Sequence, residues 1–320
     1  MTRAFVLPFL LLTLTASAEA IGAEQPPLGW IESESSVALV RGQNVLWQFN
    51  YDPNQDLCYF HPVSTDGSRV LTWNEPADHA WHHGLWFSWK YINGVNYWEH
   101  DRKTGKPAGR TRTTNVQVET REDHSARISL NLAYHPAGDR EVVLSEQRRI
   151  EISAPNSQGE YRLDWTSEFT AGPREVKLDR TPPKAQSWGG YAGLSVRFAE
   201  ELSERQVSSD SGPIEFGPGD RHRSRATSMD YSGVLDSVPV GLAMLDHPEN
   251  PRHPTPWYVI RGSVMGYINA ALLNDEPLTL ESGEGMTLRY RVIVHPNRWD
   301  AARLQAAQKK FWQTDIPVHE

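Results

Sequence analysis

Ile128-Ser129-Leu130-Asn131-Leu132-Ala133-Tyr134 places an apolar residue at every second position, with small or polar residues between. A period of two is that of a β-strand with one buried face and one wet face. The same beat recurs in Tyr161, Leu163 and Trp165, set between Arg162, Asp164 and Thr166. It recurs again in Leu288, Tyr290, Val292 and Val294, set mostly between Thr287, Arg289 and Arg291. Further strand candidates are 37–40, 45–50, 57–63, 85–91, 112–120, 141–153, 190–199, 238–245 and 257–260. Turn residues punctuate them, as in Arg41-Gly42-Gln43-Asn44 and Asn93-Gly94. One segment alone reads clearly as helix: Asp300 caps 301–312, with Leu304, Ala307 or Gln308, and Phe311 near one face and Lys309 and Lys310 at the C-terminal end. Strands at short intervals, without alternating helices, predict an all-β fold: a large antiparallel β-sandwich with one C-terminal helix. The stretches 179–189 and 203–226 read as long loops, so residues 21–320 are expected to form a single β-sandwich domain.

The chain of 320 residues is long enough to bury a sizeable core. Its 32 Lys+Arg against 40 Asp+Glu give a net charge of −8, without basic blocks, which disfavours nucleic acid and anionic membrane surfaces as partners. A neutral small-molecule or oligosaccharide substrate fits better, and the 12 Trp residues suit sugar faces as well as a core. Residues 1–20 read as a cleaved signal peptide: Arg3, then a short apolar run from Phe5 to Leu14, then Ala16-Ser17-Ala18 and Ala18-Glu19-Ala20. That run is too short to span a bilayer, so a secreted or periplasmic protein is expected. Cys58 is the single cysteine, which excludes an intramolecular disulfide; within Leu57-Cys58-Tyr59-Phe60 it reads as a small buried hydrophobe.

Two stretches carry chemistry. Residues 73–89 hold His79, His82 and His83 within five positions, with Glu75 and Asp78 just upstream and Trp81 among them. Pro76 discourages a helix, so this reads as a loop entering a strand, where His82 and His83 point different ways and at most two of the three histidines share a site. Imidazole transfers protons near neutral pH and, when neutral, binds transition metals, so all three are candidate acid/base groups or ligands of a divalent metal. The alternative is that the rings satisfy loop backbone groups. The second stretch, 245–257, carries Asp246, His247, Asn250, Arg252, His253 and Trp257, with four prolines within nine residues. Proline stiffens such a loop, which either aims these side chains at a ligand or makes a rigid connection. Trp188, in Gln186-Ser187-Trp188-Gly189-Gly190, is a candidate sugar-stacking residue or a core Trp. No phosphate-binding loop, dinucleotide fingerprint or nucleophile elbow is present, which leaves His/carboxylate acid–base work or metal assistance.

The runs Tyr59-Phe60-His61-Pro62, Pro76-Ala77-Asp78-His79-Ala80-Trp81-His82-His83-Gly84-Leu85-Trp86 and Asn93-Gly94-Val95-Asn96-Tyr97-Trp98 resemble the bacterial PmoA-like family, labelled "methane oxygenase PmoA". So do Gly241-Leu242-Ala243, Asp246-His247-Pro248, Asn250-Pro251 and Pro254-Thr255-Pro256-Trp257. The resemblance runs over roughly 35–312. It implies a fold similar to the galactose-mutarotase supersandwich, and a setting among exported proteins of carbohydrate use. The leading expectation is a carbohydrate-active enzyme performing epimerisation or elimination on a sugar. Its catalytic candidates are His79, His82, His83, Asp246 and His247; its substrate-binding candidates are Trp81, Trp188, Arg252, His253 and Trp257. The alternatives are a non-catalytic carbohydrate-binding protein and, third, a metal-dependent oxygenase as the label implies.

Overall fold

The computed structural model describes residues 26–184, 189–191 and 193–314. The expected signal peptide (residues 1–20) and Trp188 lie outside the described residues. Two nine-stranded sheets face each other, and every pairing in them is antiparallel. The first runs Leu28–Glu32, Ser36–Arg41, Asn44–Asn50, Tyr59–Val63, Leu85–Ser88, Gly193–Phe198, Gly266–Ala270, Pro256–Arg261, Arg221–Arg225. The second runs Gly212–Pro213, Ser203–Ser209, Ser228–Leu235, Val238–Asp246, Gly285–Pro296, Tyr161–Ala171, Leu144–Ile152, Ala126–Pro136, Gly109–Thr120. A smaller sheet of four strands flanks them, including the hairpin of Tyr91–Ile92 and Val95–Asn96, turned by Asn93 and Gly94, both with positive φ. The fold is thus the all-β antiparallel sandwich that the alternation predicts.

The alternating residues do what their period requires. Ile128, Leu130, Leu132 and Tyr134 are buried, and so are Tyr161, Leu163, Trp165, Leu288, Tyr290, Val292 and Val294. They meet Leu46, Phe60, Leu85, Val196 and Ile268 of the first sheet in one core, where the Phe60 and Trp165 rings lie 6.2 Å apart across the sandwich. Cys58 is buried there, its sulfur 3.1 Å from Thr113 Oγ1, and burial pushes its thiol above the ordinary value. The helix Ala301–Trp312 is capped by Asp300, whose side chain accepts from Arg303 N at 2.9 Å. It seats Leu304 and Phe311 on Ala243, Leu245 and Ile293, on the outer face of the second sheet. Among the described residues no helix is long and apolar enough to cross a membrane.

The stretch 203–226 departs from the loop expectation. It contains Ser203–Ser209, Gly212–Pro213 and Arg221–Arg225, all paired. Their sequences, Ser-Glu-Arg-Gln-Val-Ser-Ser and Arg-His-Arg-Ser-Arg, lack the apolar beat because they lie at or next to a sheet edge and bury little apolar surface. At the centre of the first sheet the reverse holds. Leu85–Ser88, Gly193–Phe198 and Gly266–Ala270 are buried on both faces. One face belongs to the core, and the other is roofed by loops.

Candidate functional site

That second face carries a row of side chains in register across six strands: Tyr59, Trp86, Ser195, Asn269, Tyr258 and Arg223. Tyr267 and Arg197 pair in the neighbouring row. Asn269 Nδ2 donates to Ser195 Oγ at 2.9 Å, and the Tyr267 hydroxyl lies 3.0 Å from the same oxygen. These groups form a buried layer beneath the loops, in which Tyr59, Trp86, Tyr258 and Tyr267 pack with Trp98 in one cluster, and Trp98 carries that layer to the wall of a cleft.

The roof is the loop between Trp73 and Gly84. An antiparallel bridge of Asn74 with His83 closes it, with Glu75 N donating to His82 O at 2.8 Å and Gly84 N to Trp73 O at 3.0 Å. Inside, His79 N donates to Pro76 O and His82 N to His79 O, both at 2.9 Å, so the loop is two successive turns. Gly84 has φ +62°, and a Cβ there would run into the Phe60 carbonyl, so glycine is required. Glu75 holds φ +50° without that excuse, a left-handed conformation costing roughly 1–2 kcal/mol.

The loop sends its histidines two ways, as the extended entry to the strand predicts. His79 and His82 stack on each other at 4.8 Å, and His82 is buried against Trp86, Trp98 and Tyr267 at 5.1, 5.7 and 5.2 Å. Burial, aided by the positive field of neighbouring His79 and Arg197, holds His82 well below the usual imidazole value, and its Nδ1 has no partner. His79 Nδ1 lies 3.0 Å from Asp78. The buried Arg197 donates through Nη2 to both Asp78 oxygens, each at 3.0 Å. Burial lifts the Asp78 carboxyl, but these contacts outweigh it and hold the group below the usual carboxylate range.

His83 turns the other way, onto Tyr59, with ring centres 5.0 Å apart. Its Nδ1 meets Asn74 Oδ1 at 3.0 Å; because that oxygen only accepts, Nδ1 carries the proton and Nε2 the lone pair. Burial, then the fields of His100 and His61, lower its pKa to about 4, so the ring is neutral at pH 7. His83 lines a cleft of about 200 Å³ together with Glu75, Trp81, Trp98, Tyr97 and His100. Glu75 Oε1 is 3.8 Å from His83 Nδ1. Trp81 stands at its mouth between His79 and His100, at 5.2 and 6.2 Å. A neutral imidazole of fixed tautomer, a carboxylate and two indoles thus face one cavity.

The second loop is used differently. Asp246 is fully buried and accepts from Asn250 Nδ2 (2.7 Å), Thr255 N (2.8 Å), Thr255 Oγ1 (3.0 Å) and His253 Nδ1 (2.7 Å). Burial raises its carboxyl above the usual range against the pull of those bonds. His247 packs on Phe311 of the helix at 5.3 Å. Arg252 donates to the carbonyls of Leu272, Glu276 and Pro277, and Trp257 lies in the core with Nε1 on the Ala226 carbonyl. These partners belong to the loop itself, the helix and the strand connections; none is in the 73–84 loop. As for a metal, His79, His82 and His83 meet Asp78, an aromatic nest and Asn74 respectively. Among the described residues no three His, Cys, Asp or Glu side chains are placed to share one ion.

Asn74, Arg197, Tyr267, Trp98 and His100 are the site residues that the sequence did not single out. Arg197 and Tyr267 come from segments whose own pattern is that of an ordinary strand, and Asn74 and Trp98 lie in noted stretches without a local sign of what each would meet.

A family model covers residues 36–309 of this chain. The chain belongs to DUF6807, a family of unknown function. The PmoA-like motifs remain a resemblance. No curated protein matches this DUF6807 chain. Among solved structures it is similar to a putative aldose 1-epimerase from Klebsiella pneumoniae subsp. pneumoniae, with 9% identity and a TM-score of 0.44 over 88% of this chain and 84% of that one. It is also similar to an α-galactosidase from Lactobacillus brevis (9% identity, TM-score 0.38, 83% of this chain and 39% of that one). A GH36 α-galactosidase from Geobacillus stearothermophilus gives 9% identity and a TM-score of 0.41 over 85% of this chain and 41% of that one. The DUF6807 chain therefore spans about two fifths of the length of those galactosidases.

Proposed function

We propose that this DUF6807 chain is an exported carbohydrate-active enzyme that moves a proton on a sugar bound in the Trp81/Trp98 cleft. The observation that carries the reading is His83: a neutral ring whose tautomer Asn74 fixes, inside a cleft that also holds a carboxylate and two indoles. The indoles offer apolar faces to a pyranose ring. His83 Nε2 takes a proton from a ring carbon, and Glu75 in its protonated form gives one to the opposite face of that carbon in epimerisation, or to the departing oxygen in elimination, where the C–O bond breaks as the alkene forms. His82 supports the floor; its buried ring orients Trp98 and Tyr267 rather than reaching substrate.

The test incubates the protein in D2O with a panel of monosaccharides, uronates and oligosaccharides, followed by proton NMR. Deuterium uptake at a ring carbon, or a new alkene signal, lost in His83→Ala, is the expected result. A sugar that binds, with neither signal in the wild type, would leave a non-catalytic binding protein. Export is tested separately by expressing the full chain in a bacterial host, locating it in periplasm or medium, and sequencing its N-terminus for cleavage after Ala18 or Ala20.

A further inference from the structure

Away from the cleft, on the outer face of the second sheet, a trough of about 400 Å³ runs between the helix Ala301–Trp312 and the strands Tyr161–Ala171 and Gly285–Pro296. The helix contributes Arg303, Ala306, Ala307 and Lys310 to it, at spacings of three, four and seven, so all four share one helix face. Two small residues make room in the middle, and a cation stands at each end, about 10 Å apart along the axis. Arg162 and Arg291 form the opposite wall.

Some of this charge is balanced. Arg291 holds Asp164 through Nε and Nη2 at 2.5 and 2.9 Å, and Arg162 also reaches Asp164, at 3.3 Å. Arg303 reaches Glu160 at 3.0 Å and lies over the Trp299 ring. Four cations against two carboxylates leave the trough positive on a chain whose net charge is −8. Arg162 and Arg303 are half exposed, and Lys310 is exposed. The aromatic residues of the trough are withdrawn: Tyr161 is buried with its hydroxyl on the Leu46 carbonyl, and Trp299 is stacked on His295.

We propose that this trough is a second binding site, for a linear acidic polysaccharide whose carboxylates are read by Arg303, Lys310 and Arg162. Spaced cations around a small-residue floor fit repeating carboxylates better than one compact phosphate. The lack of an exposed aromatic platform disfavours single-stranded nucleic acid, whose bases need one. The site is independent of the cleft; it would hold the protein on a polyanionic polymer whether or not the His83 reading stands.

Calorimetric titration of the full chain with galacturonate oligomers tests it, with neutral malto-oligosaccharides, a single-stranded DNA oligomer and inorganic phosphate as comparison probes. The expected result is one galacturonate site per chain, weakened by salt and reduced about tenfold or more by Lys310→Glu with Arg162→Glu. The milder Lys310→Ala gives a smaller loss without touching any ion pair. Absence of galacturonate binding at low salt overturns the proposal. So does malto-oligosaccharide binding that the doubly reversed variant weakens equally, tighter binding of DNA or phosphate, or full galacturonate affinity in that variant with unchanged circular dichroism.

Discussion

Two loops of this chain are built from the same ingredients, histidines, carboxylates and proline, yet the fold uses them in opposite ways. In the 246–257 loop, Asp246 accepts four hydrogen bonds from its own loop, and its main-chain oxygen accepts from Gln308 and Trp312 of the helix. In the 73–84 loop and the floor beneath it, buried donors are left over: Trp86 Nε1, Trp98 Nε1, and Arg197 Nε and Nη1, with His82 Nδ1 also unpartnered. A saturated polar network fixes a structure, and an unsaturated one in a cleft is a place for ligand or water. The four bonds that saturate the Asp246 carboxylate, not residue type, separate this staple from the first loop.

The largest effect expected from this contrast is on stability. Asp246→Ala leaves His253, Asn250 and Thr255 without their acceptor, and should cost about 3–5 kcal/mol in urea unfolding. It should leave sugar affinity at the cleft unchanged. Wild-type stability together with lost turnover would move the second loop into the site and erase the distinction.

Acid should then split the two loops by sign. His83 has a folded pKa of about 4 against an unfolded 6.5, so the unfolded chain takes up a proton that the folded chain refuses. Stability is therefore full above pH 6.5, falls by about 3 kcal/mol as pH drops toward 4, and levels off below. His82 acts in the same direction. Asp246, with its raised carboxyl, works the other way: its contribution is present at low pH and is lost as pH rises through its folded value. Unfolding curves of His83→Gln from pH 7 to pH 4 should flatten relative to wild type, and an unaltered slope would refute the neutral buried ring. Smaller again is Gly84→Ala, at about 2 kcal/mol, because its φ of +62° and the Phe60 carbonyl leave no room for a Cβ. If Gly84→Ala were neutral, the first loop would not be held closed as described.

Much of the architecture was legible in the chain. The beat of Ile128 to Tyr134 and of Leu288 to Val294 became the buried faces of long strands, and Asp300 with Leu304 and Phe311 became the capped, docked helix. What escaped had no local signature. Arg221–Arg225 is an edge strand with no apolar residue, paired only because Pro256–Arg261 lies beside it. The histidine cluster at 79–83 was visible, but its division was settled by what each ring meets. Trp98 and Tyr267 reach His82 from segments far apart in sequence, and Asn74 reaches His83 across a loop closure. Asp246 was the harder case. A buried acid that staples a loop and one that serves a reaction have the same letters around them, and only the count of satisfied oxygens tells them apart.

The smallest energetic effect makes the sharpest test of the site. Asn74→Ala removes one neutral hydrogen bond and should cost only about 1 kcal/mol of stability. It also removes the acceptor that keeps the His83 proton on Nδ1. Nitrogen-15 NMR of the free protein reads this directly: in the wild type His83 Nε2 should give the signal of an unprotonated ring nitrogen, and in Asn74→Ala that signal should divide between Nδ1 and Nε2. His253, whose Nδ1 stays on Asp246, should not change. Any substrate found for the cleft should then show a lower kcat in Asn74→Ala with KM little altered, since binding by the indoles is intact while a share of the molecules carries the proton on the wrong nitrogen. An unchanged His83 signal in Asn74→Ala would mean that some other group sets the tautomer, and Asn74 would lose its positioning role whatever the protein acts on.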